Sequence, residues 1–180
     1  GALPGTMIEE LTALARLTNG RAVLLNQPSG GEERYDGNNL GVFAQPIQWA
    51  VWNGGGSNNR WSNAANWNGV LPVPGTNFDL QFAGSTRLSP TNDFTALSDF
   101  RHIAFNAGAG AFTLRGNSIT LNGNLTNNSA NLEAINLPLV VSATCALVPV
   151  SGDIALGGAI SGAGGLTLVG PGTVTLSGNN

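Results

Sequence analysis

The sequence carries Leu166-Thr-Leu-Val-Gly170 and, a few residues later, Val174-Thr-Leu-Ser-Gly178. Both copies follow one template, which reads apolar, small, Leu, any residue, Gly. The template also occurs at Phe112-Thr-Leu-Arg-Gly116, Ile119-Thr-Leu-Asn-Gly123 and Ile154-Ala-Leu-Gly-Gly158. Successive side chains of a strand point to opposite faces, so the first and third residues of each copy share a face. The template therefore predicts short strands that bury leucine and end at a glycine turn.

Short strands that recur with few charges indicate a coil, in which each strand pairs with the equivalent strand of the next turn. A simple meander is the alternative. We therefore predict an all-β fold, a parallel β-helix or β-solenoid of short strands, with the repeats spanning residues 111–180. The shared template position predicts burial of five leucines: Leu114, Leu121, Leu156, Leu168 and Leu176.

The beginning of the chain has a different pattern. Thr6-Met7-Ile8-Glu9 fits a capping box, and Leu11 and Leu14 continue at helical spacing. These residues predict a short helix over residues 7–18. We expect residues 1–48 to form an N-terminal helix and linker that cap the open end of the β-stack. A small helix lying on a sheet face is the alternative.

Residues 49–110 are predicted to form a Trp/Asn-rich β module that leads into the solenoid. Phe78-Asp-Leu-Gln-Phe82 alternates cleanly and predicts a strand with three apolar side chains on one face. A second apolar run, Phe100-Arg-His-Ile-Ala-Phe105, has a less regular phase, because its two phenylalanines fall on opposite faces of a single strand.

The tryptophans of this module allow two interpretations. Exposed indole rings stack on sugars and Asn side chains bind hydroxyl groups, which would make the segment a glycan platform. Alternatively, the rings fill the core of a module that has few aliphatic residues, an arrangement typical of tryptophan. The residues that could bind a glycan are Trp52, Trp61, Asn63, Asn66 and Trp67.

The composition argues against several classes of partner. Charged residues make up 9% of the 180 residues, and the formal net charge is −3. A chain without an excess of positive charge lacks the electrostatic surface that nucleic acids require. No run of apolar residues reaches the length of a membrane helix, so we expect neither nucleic-acid binding nor membrane insertion of this segment.

Residues that commonly carry catalysis or bind metals are few and scattered. His102 is the only histidine and Cys145 the only cysteine. The acids of the β region share no register, namely Asp79, Asp93, Asp99, Glu133 and Asp153. We therefore predict no catalytic residue, no cofactor and no metal site. A polysaccharide-processing β-helix enzyme, which would need two converging carboxyl groups, is the alternative from the enzyme class.

The stretch Gly164-Gly-Leu-Thr-Leu-Val-Gly-Pro-Gly-Thr-Val-Thr-Leu-Ser-Gly-Asn179 resembles the autotransporter-associated β-strand repeat. The segment Trp61-Ser-Asn-Ala-Ala-Asn-Trp67 is similar to sequences that precede such repeats in large secreted bacterial proteins. The resemblance implies a right-handed β-helix, an extracellular or cell-surface location, and a structural or adhesive role without catalytic residues. It also implies that the chain stops in mid-repeat at Asn180.

Two partners follow from these expectations. Surface glycans are one, through the Trp/Asn-rich segment. A second copy of the chain is the other, because Val174-Thr-Leu-Ser177 would be an edge strand with no proline or lysine to block pairing.

Overall fold

The computed structural model describes residues 46–180. The helix predicted for residues 7–18, and all but the last three residues of the cap predicted for residues 1–48, lie outside the described residues. Residues Ile47–Asn180 form one compact unit. No helix of the described part has the length and apolarity that a membrane span requires.

The described chain folds into fifteen strands arranged in three sheets, and every pairing is parallel. The six-stranded sheet contains β1 (Gln48–Trp52), β2 (Phe78–Phe82), β5 (Ile103–Phe105), β8 (Leu125–Asn127), β11 (Cys145–Pro149) and β14 (Leu166–Leu168). The five-stranded sheet contains β3 (Thr91–Asn92), β6 (Thr113–Gly116), β9 (Glu133–Ile135), β12 (Ile154–Leu156) and β15 (Val174–Leu176). The four-stranded sheet contains β4 (Ser98–Phe100), β7 (Ile119–Leu121), β10 (Leu139–Val141) and β13 (Ile160–Ser161). A short 3-10 helix, Ala64–Asn66, lies between β1 and β2.

The chain visits the three sheets in turn, so the described residues form a three-sided β-solenoid of about five coils. The predicted fold class is confirmed. Leu80 pairs with Ile103 and Ile103 with Leu125, so one coil takes 23 and then 22 residues. The six-stranded sheet runs without a break through the predicted Trp/Asn-rich module and the predicted repeats.

The core is aromatic in the first coils and aliphatic in the later ones. Trp52, Phe82 and Phe105 occupy equivalent positions of successive strands and are fully buried. The rings of Phe82 and Phe105 stack with their centroids 5.4 Å apart. Burial of each side chain of this size stabilises the folded state by roughly 1.5–3 kcal/mol relative to leaving it exposed. The large rings therefore fill the interior where the connecting loops are longest.

The run Phe100–Phe105 is two strands rather than one. Phe100 ends β4 in the four-stranded sheet and Ile103 starts β5 in the six-stranded sheet. The chain turns a corner at Arg101 and His102, which resets the alternation. Both Phe100 and Phe105 consequently point into the core, although their spacing would place them on opposite faces of a continuous strand.

Burial of the template leucines is confirmed for three copies and wrong for two. Leu114, Leu121 and Leu156 are at most 1% exposed, whereas Leu168 and Leu176 are 55% and 52% exposed. An inward side chain of a solenoid is covered by the coils on both sides of it. Among the described residues, β14 and β15 each pair with one strand only, so their leucines are covered on one side.

Two template glycines show why the fifth position lacks a side chain. A Cβ atom at Gly116, where φ is +104°, would lie 2.2 Å from the carbonyl oxygen of Asn92. A Cβ atom at Gly178 would lie 2.1 Å from the carbonyl oxygen of Gly158. The glycines therefore permit close approach of one coil to the backbone of the coil before it, in addition to making the turn.

Candidate functional site

The Trp/Asn-rich segment packs inward. Trp52, Trp61 and Trp67 are 0% exposed. Trp67 meets Trp52 edge to face with a centroid distance of 5.1 Å, and meets Trp61 in the same way at 6.0 Å. The indole N–H of Trp67 donates to the carbonyl of Trp61 at 2.8 Å. The three rings are a packed cluster and offer no face to a sugar.

The two asparagines of the same segment hold the loop together. Asn66 is fully buried, donates to the carbonyls of Asn58 and Arg60, and accepts from the N–H of Gly56. Asn63 caps the 3-10 helix by accepting from the N–H of Ala65 at 3.2 Å. All five residues predicted for glycan binding thus come together in space, but they serve the core and its loop.

Trp49 is the tryptophan that solvent reaches, with 57% of its surface exposed. It lies on the outward face of β1, and its cross-strand partner is Asp79 of β2. Asp79 forms a bidentate ion pair with Arg101, whose Nε donates at 2.8 Å. The sequence alone could have predicted that Trp49 and Trp52 lie on opposite faces of β1, because they are three positions apart and side chains alternate along a strand.

All five carboxylates of the described residues accept a hydrogen bond from a neighbouring coil. The donors are Arg101 to Asp79, Ser62 to Asp93, Asn122 to Asp99, the N–H of Phe112 to Glu133, and the N–H of Thr173 to Asp153. Four of these pairs are 20 to 23 residues apart, which is one coil. The carboxylates therefore fasten adjacent coils to each other.

His102 belongs to the same set of contacts. Its Nδ1 accepts from the backbone N–H of Asn124 at 2.7 Å, one coil further along. The pKa of His102 is lowered, first by burial of the imidazole and then by the charge of Arg101. The neutral imidazole is thus the form that fits this contact.

Among the acids of residues 46–180, Glu133 is the one with an inward side chain. It is fully buried, and its two oxygens accept from the Ser129 hydroxyl and from the N–H of Phe112. Burial raises the pKa of the Glu133 carboxyl to about 7, against the opposing effect of these hydrogen bonds. The sequence did not predict whether the Glu133 side chain points inward or outward, because Glu133 does not lie in a copy of the leucine template.

The remaining candidates for chemistry lie apart from one another. Within residues 46–180 no group of three His, Cys, Asp or Glu side chains is placed to hold a metal ion. Cys145 is 1% exposed, and burial raises the pKa of its thiol. A buried protonated thiol is a weak nucleophile and packs as a small apolar group.

Comparison of the chain with protein-family models, with curated proteins and with solved structures found no match. The resemblance of residues 164–179 to the autotransporter-associated repeat therefore stays a prediction.

Proposed function

We propose that this chain is a non-catalytic structural or adhesive module of a bacterial cell-surface or secreted β-solenoid protein. The sequence resemblance supports the location and the class of protein. The observation that carries the structural role is the use of the acidic side chains. Each carboxylate between residues 46 and 180 ties its coil to a neighbouring one.

This use of carboxylates differs from what a hydrolase requires. A glycosidase or lyase needs acidic groups that converge on a substrate and change protonation during turnover. Asp79 is held by the guanidinium of Arg101, and Glu133 is closed off from solvent. Coil-to-coil contacts of this kind favour a rigid rod that displays or extends other parts of a surface protein.

Adhesion to glycans has one observation in its favour. The exposed ring of Trp49 lies on the outward face beside the Asp79–Arg101 pair, a combination of aromatic and polar groups that suits a sugar. The buried cluster of Trp52, Trp61 and Trp67 supports the structural role instead.

Location and catalysis are tested by separate experiments. Antibodies against the purified chain are expected to label intact cells of the source organism, and labelling that requires permeabilised cells would contradict the proposal. The purified chain is expected to release no reducing ends from a panel of polysaccharides. Product formation that is lost in Asp79→Asn or Glu133→Gln would establish an enzyme.

The adhesive role is tested by glycan binding with a matched control variant. Binding to a glycan array that disappears in Trp49→Ala but persists in Leu132→Ala would assign adhesion to the outward face of β1. Leu132 is a fitting control because it is 55% exposed, close to the 57% of Trp49.

A further inference from the structure

Two arginines lie on either side of a threonine on the outward face of the five-stranded sheet. Arg60 forms a parallel bridge with Thr91, and Thr91 pairs with Arg115 of β6. Trp61 and Leu114, the chain neighbours of the two arginines, are fully buried. Because side chains alternate along a strand and register partners point to the same side of a sheet, all three residues point outward.

The stacking of coils sets the spacing of these side chains. Neighbouring strands lie about 4.8 Å apart, so the Cα atoms of Arg60 and Arg115, which are two strands apart, are separated by about 9.6 Å. The register of β6 with β9 continues the row to Asn136. Arg60, Arg115 and Asn136 are exposed, and Thr91 is half-buried. We call these four residues the arginine column, which offers two cations and two uncharged polar groups in a line across the strands.

The outward residues beside the arginine column are small. Thr113, Ala134 and Ala155 pair with one another in register on the same outward face, two positions before the column in their strands. No side chain in this second row is longer than threonine, so the two guanidinium groups stand above a flat surface. Such a surface gives room for an extended chain that lies across the strands.

The guanidinium groups of the column are available to an external anion. Within residues 46–180 no carboxylate forms an ion pair with Arg115. In the same part of the chain Arg60 has one acidic neighbour, Asp93, with 4.0 Å between its Nη1 and the Asp93 Oδ2. Asp93 already accepts from the N–H of Ser62 at 2.9 Å and from its hydroxyl at 2.6 Å. Because an exposed ion pair this long contributes little, an anionic ligand can compete for Arg60.

We propose that the arginine column binds an acidic polysaccharide, that is, a linear glycan that carries carboxylate or sulfate groups. A guanidinium group binds an oxyanion through two parallel, charge-assisted N–H···O bonds. Arg60 and Arg115 each hold one anionic group of the glycan, and the Thr91 hydroxyl and the Asn136 amide bind sugar hydroxyls. The column lies on a different sheet from Trp49, so this inference does not depend on the proposed function.

The sparse charge of the column favours a polysaccharide over a nucleic acid. Duplex DNA carries one negative charge per about 1.7 Å of its axis, and its affinity comes from the phosphates that a protein neutralises. Here a neutral residue separates the two cations, and the formal net charge of −3 repels a densely charged polymer. A glycan with acidic groups on some of its sugars spaces its charges further apart and supplies hydroxyl groups between them.

Calorimetric titration of the whole 180-residue chain tests the ligand class. Oligogalacturonate is the carboxylated probe, an oligosaccharide of dextran sulfate is the sulfated probe, and neutral dextran of the same length is the control. At least one anionic probe is expected to bind at about 20 mM salt and to bind more weakly at about 300 mM, because salt screens exposed charges. Neutral dextran should not bind, and the tighter anionic probe identifies the preferred oxyanion.

Variants of the column test the site. Arg60→Gln and Arg115→Gln should each weaken binding of the anionic probe about tenfold, and the double variant about a hundredfold. Arg115→Lys keeps the charge but loses the paired geometry, so its affinity should fall between those of the parent and Arg115→Gln. Arg87→Gln is the matched control, because it changes the net charge by the same amount in the loop before β3, outside the column.

Several results would overturn the proposal. One is a parent chain that binds neither anionic probe at about 1 mM in low salt, or that binds neutral dextran equally well. Another is a double variant that binds as tightly as the parent, or an equal loss in Arg87→Gln, which would assign the binding to net charge alone. Tighter binding of single-stranded DNA or of polyglutamate than of either anionic glycan would assign the column to a different class of polymer. Circular dichroism should show that all variants keep the parent's β content.

Discussion

Glu133 shows how one residue can hold a solenoid together and weaken it at the same time. It occupies the column that Phe112, Ile154 and Val174 fill with apolar side chains. Its oxygens satisfy the N–H of Phe112 and the hydroxyl of Ser129, so the corner of the coil is hydrogen-bonded. The ionised carboxylate in this column is nevertheless costly, since no cationic side chain of the described part of the chain pairs with it to offset the loss of hydration.

The raised pKa of Glu133 predicts that stability falls as the pH rises. Burial moves the pKa from 4.5 to about 7, so the folded chain holds this proton more tightly than the unfolded chain. The contribution is complete below the unfolded pKa and is lost as the pH rises through the folded pKa. Glu133→Gln should match the parent near pH 4 and exceed it at pH 8 by about 3 kcal/mol of unfolding free energy.

Urea unfolding at several pH values measures this difference. Subtracting the variant from the parent cancels the contribution of His102, whose pKa is lowered by burial. Glu133→Ala is the control, because it removes the charge but leaves the Phe112 N–H without its acceptor. It should be less stable than Glu133→Gln at every pH, and equal pH profiles for the parent and Glu133→Gln would contradict the argument.

At the scale of strands, two copies of the same template have different environments. Leu156 of β12 and Leu176 of β15 are direct cross-strand partners and occupy the same template position. Leu156 is 1% exposed because β9 and β15 flank its strand, whereas Leu176 is 52% exposed. Hydrophobic stabilisation follows the area removed from water, so the two leucines contribute unequally.

Aspartate substitutions at these two positions should therefore change the unfolding free energy by very different amounts. Leu156→Asp puts an unpaired charge into the core and is expected to lower the unfolding free energy by about 3 kcal/mol or more. Leu176→Asp should change it by less than about 1 kcal/mol. Denaturant unfolding of both variants at a dilute concentration makes the comparison, and a similar loss in both would mean that the end of the solenoid is covered.

Across the whole molecule, stability depends on how many neighbours each coil has. In a stacked repeat each unit interacts with the one before and the one after, so units at an end receive less stabilisation. β8 lies between β5 and β11, whereas β14 pairs with β11 alone among the described residues. Local opening should be easiest in the last coil.

Amide hydrogen exchange measured on a dilute monomer should show this gradient. The amide of Val169, which donates to Leu147 in the last coil, is expected to exchange at least about tenfold faster than the amide of Asn128, which donates to Phe105 between two inner coils. Uniform protection from β5 to β14 would show that the coils open as one unit.

Local pattern was enough to predict the class of fold. The alternation within the template, its glycines and its recurrence each follow from neighbours within a few residues, and these led directly to a parallel solenoid of short strands. Of the two interpretations of the tryptophans, burial in the core holds for Trp52, Trp61 and Trp67, whereas Trp49 is exposed. Side-chain direction in a strand depends on residue spacing alone, so the sequence is enough to predict which residues of a strand share a face.

Contacts between coils were decided by the tertiary structure. Leu156 and Leu176 carry the same local signal, and only the stacking of coils distinguishes a buried leucine from an exposed one. Asp79 and Arg101, or Glu133 and the N–H of Phe112, are more than 20 residues apart, so their pairing depends on coil length. The corner at Arg101 and His102 altered the phase of the Phe100–Phe105 run for the same reason. Burial and pairing in a solenoid are properties of adjacent turns, and the register between turns becomes known only when the length of every connecting loop is known.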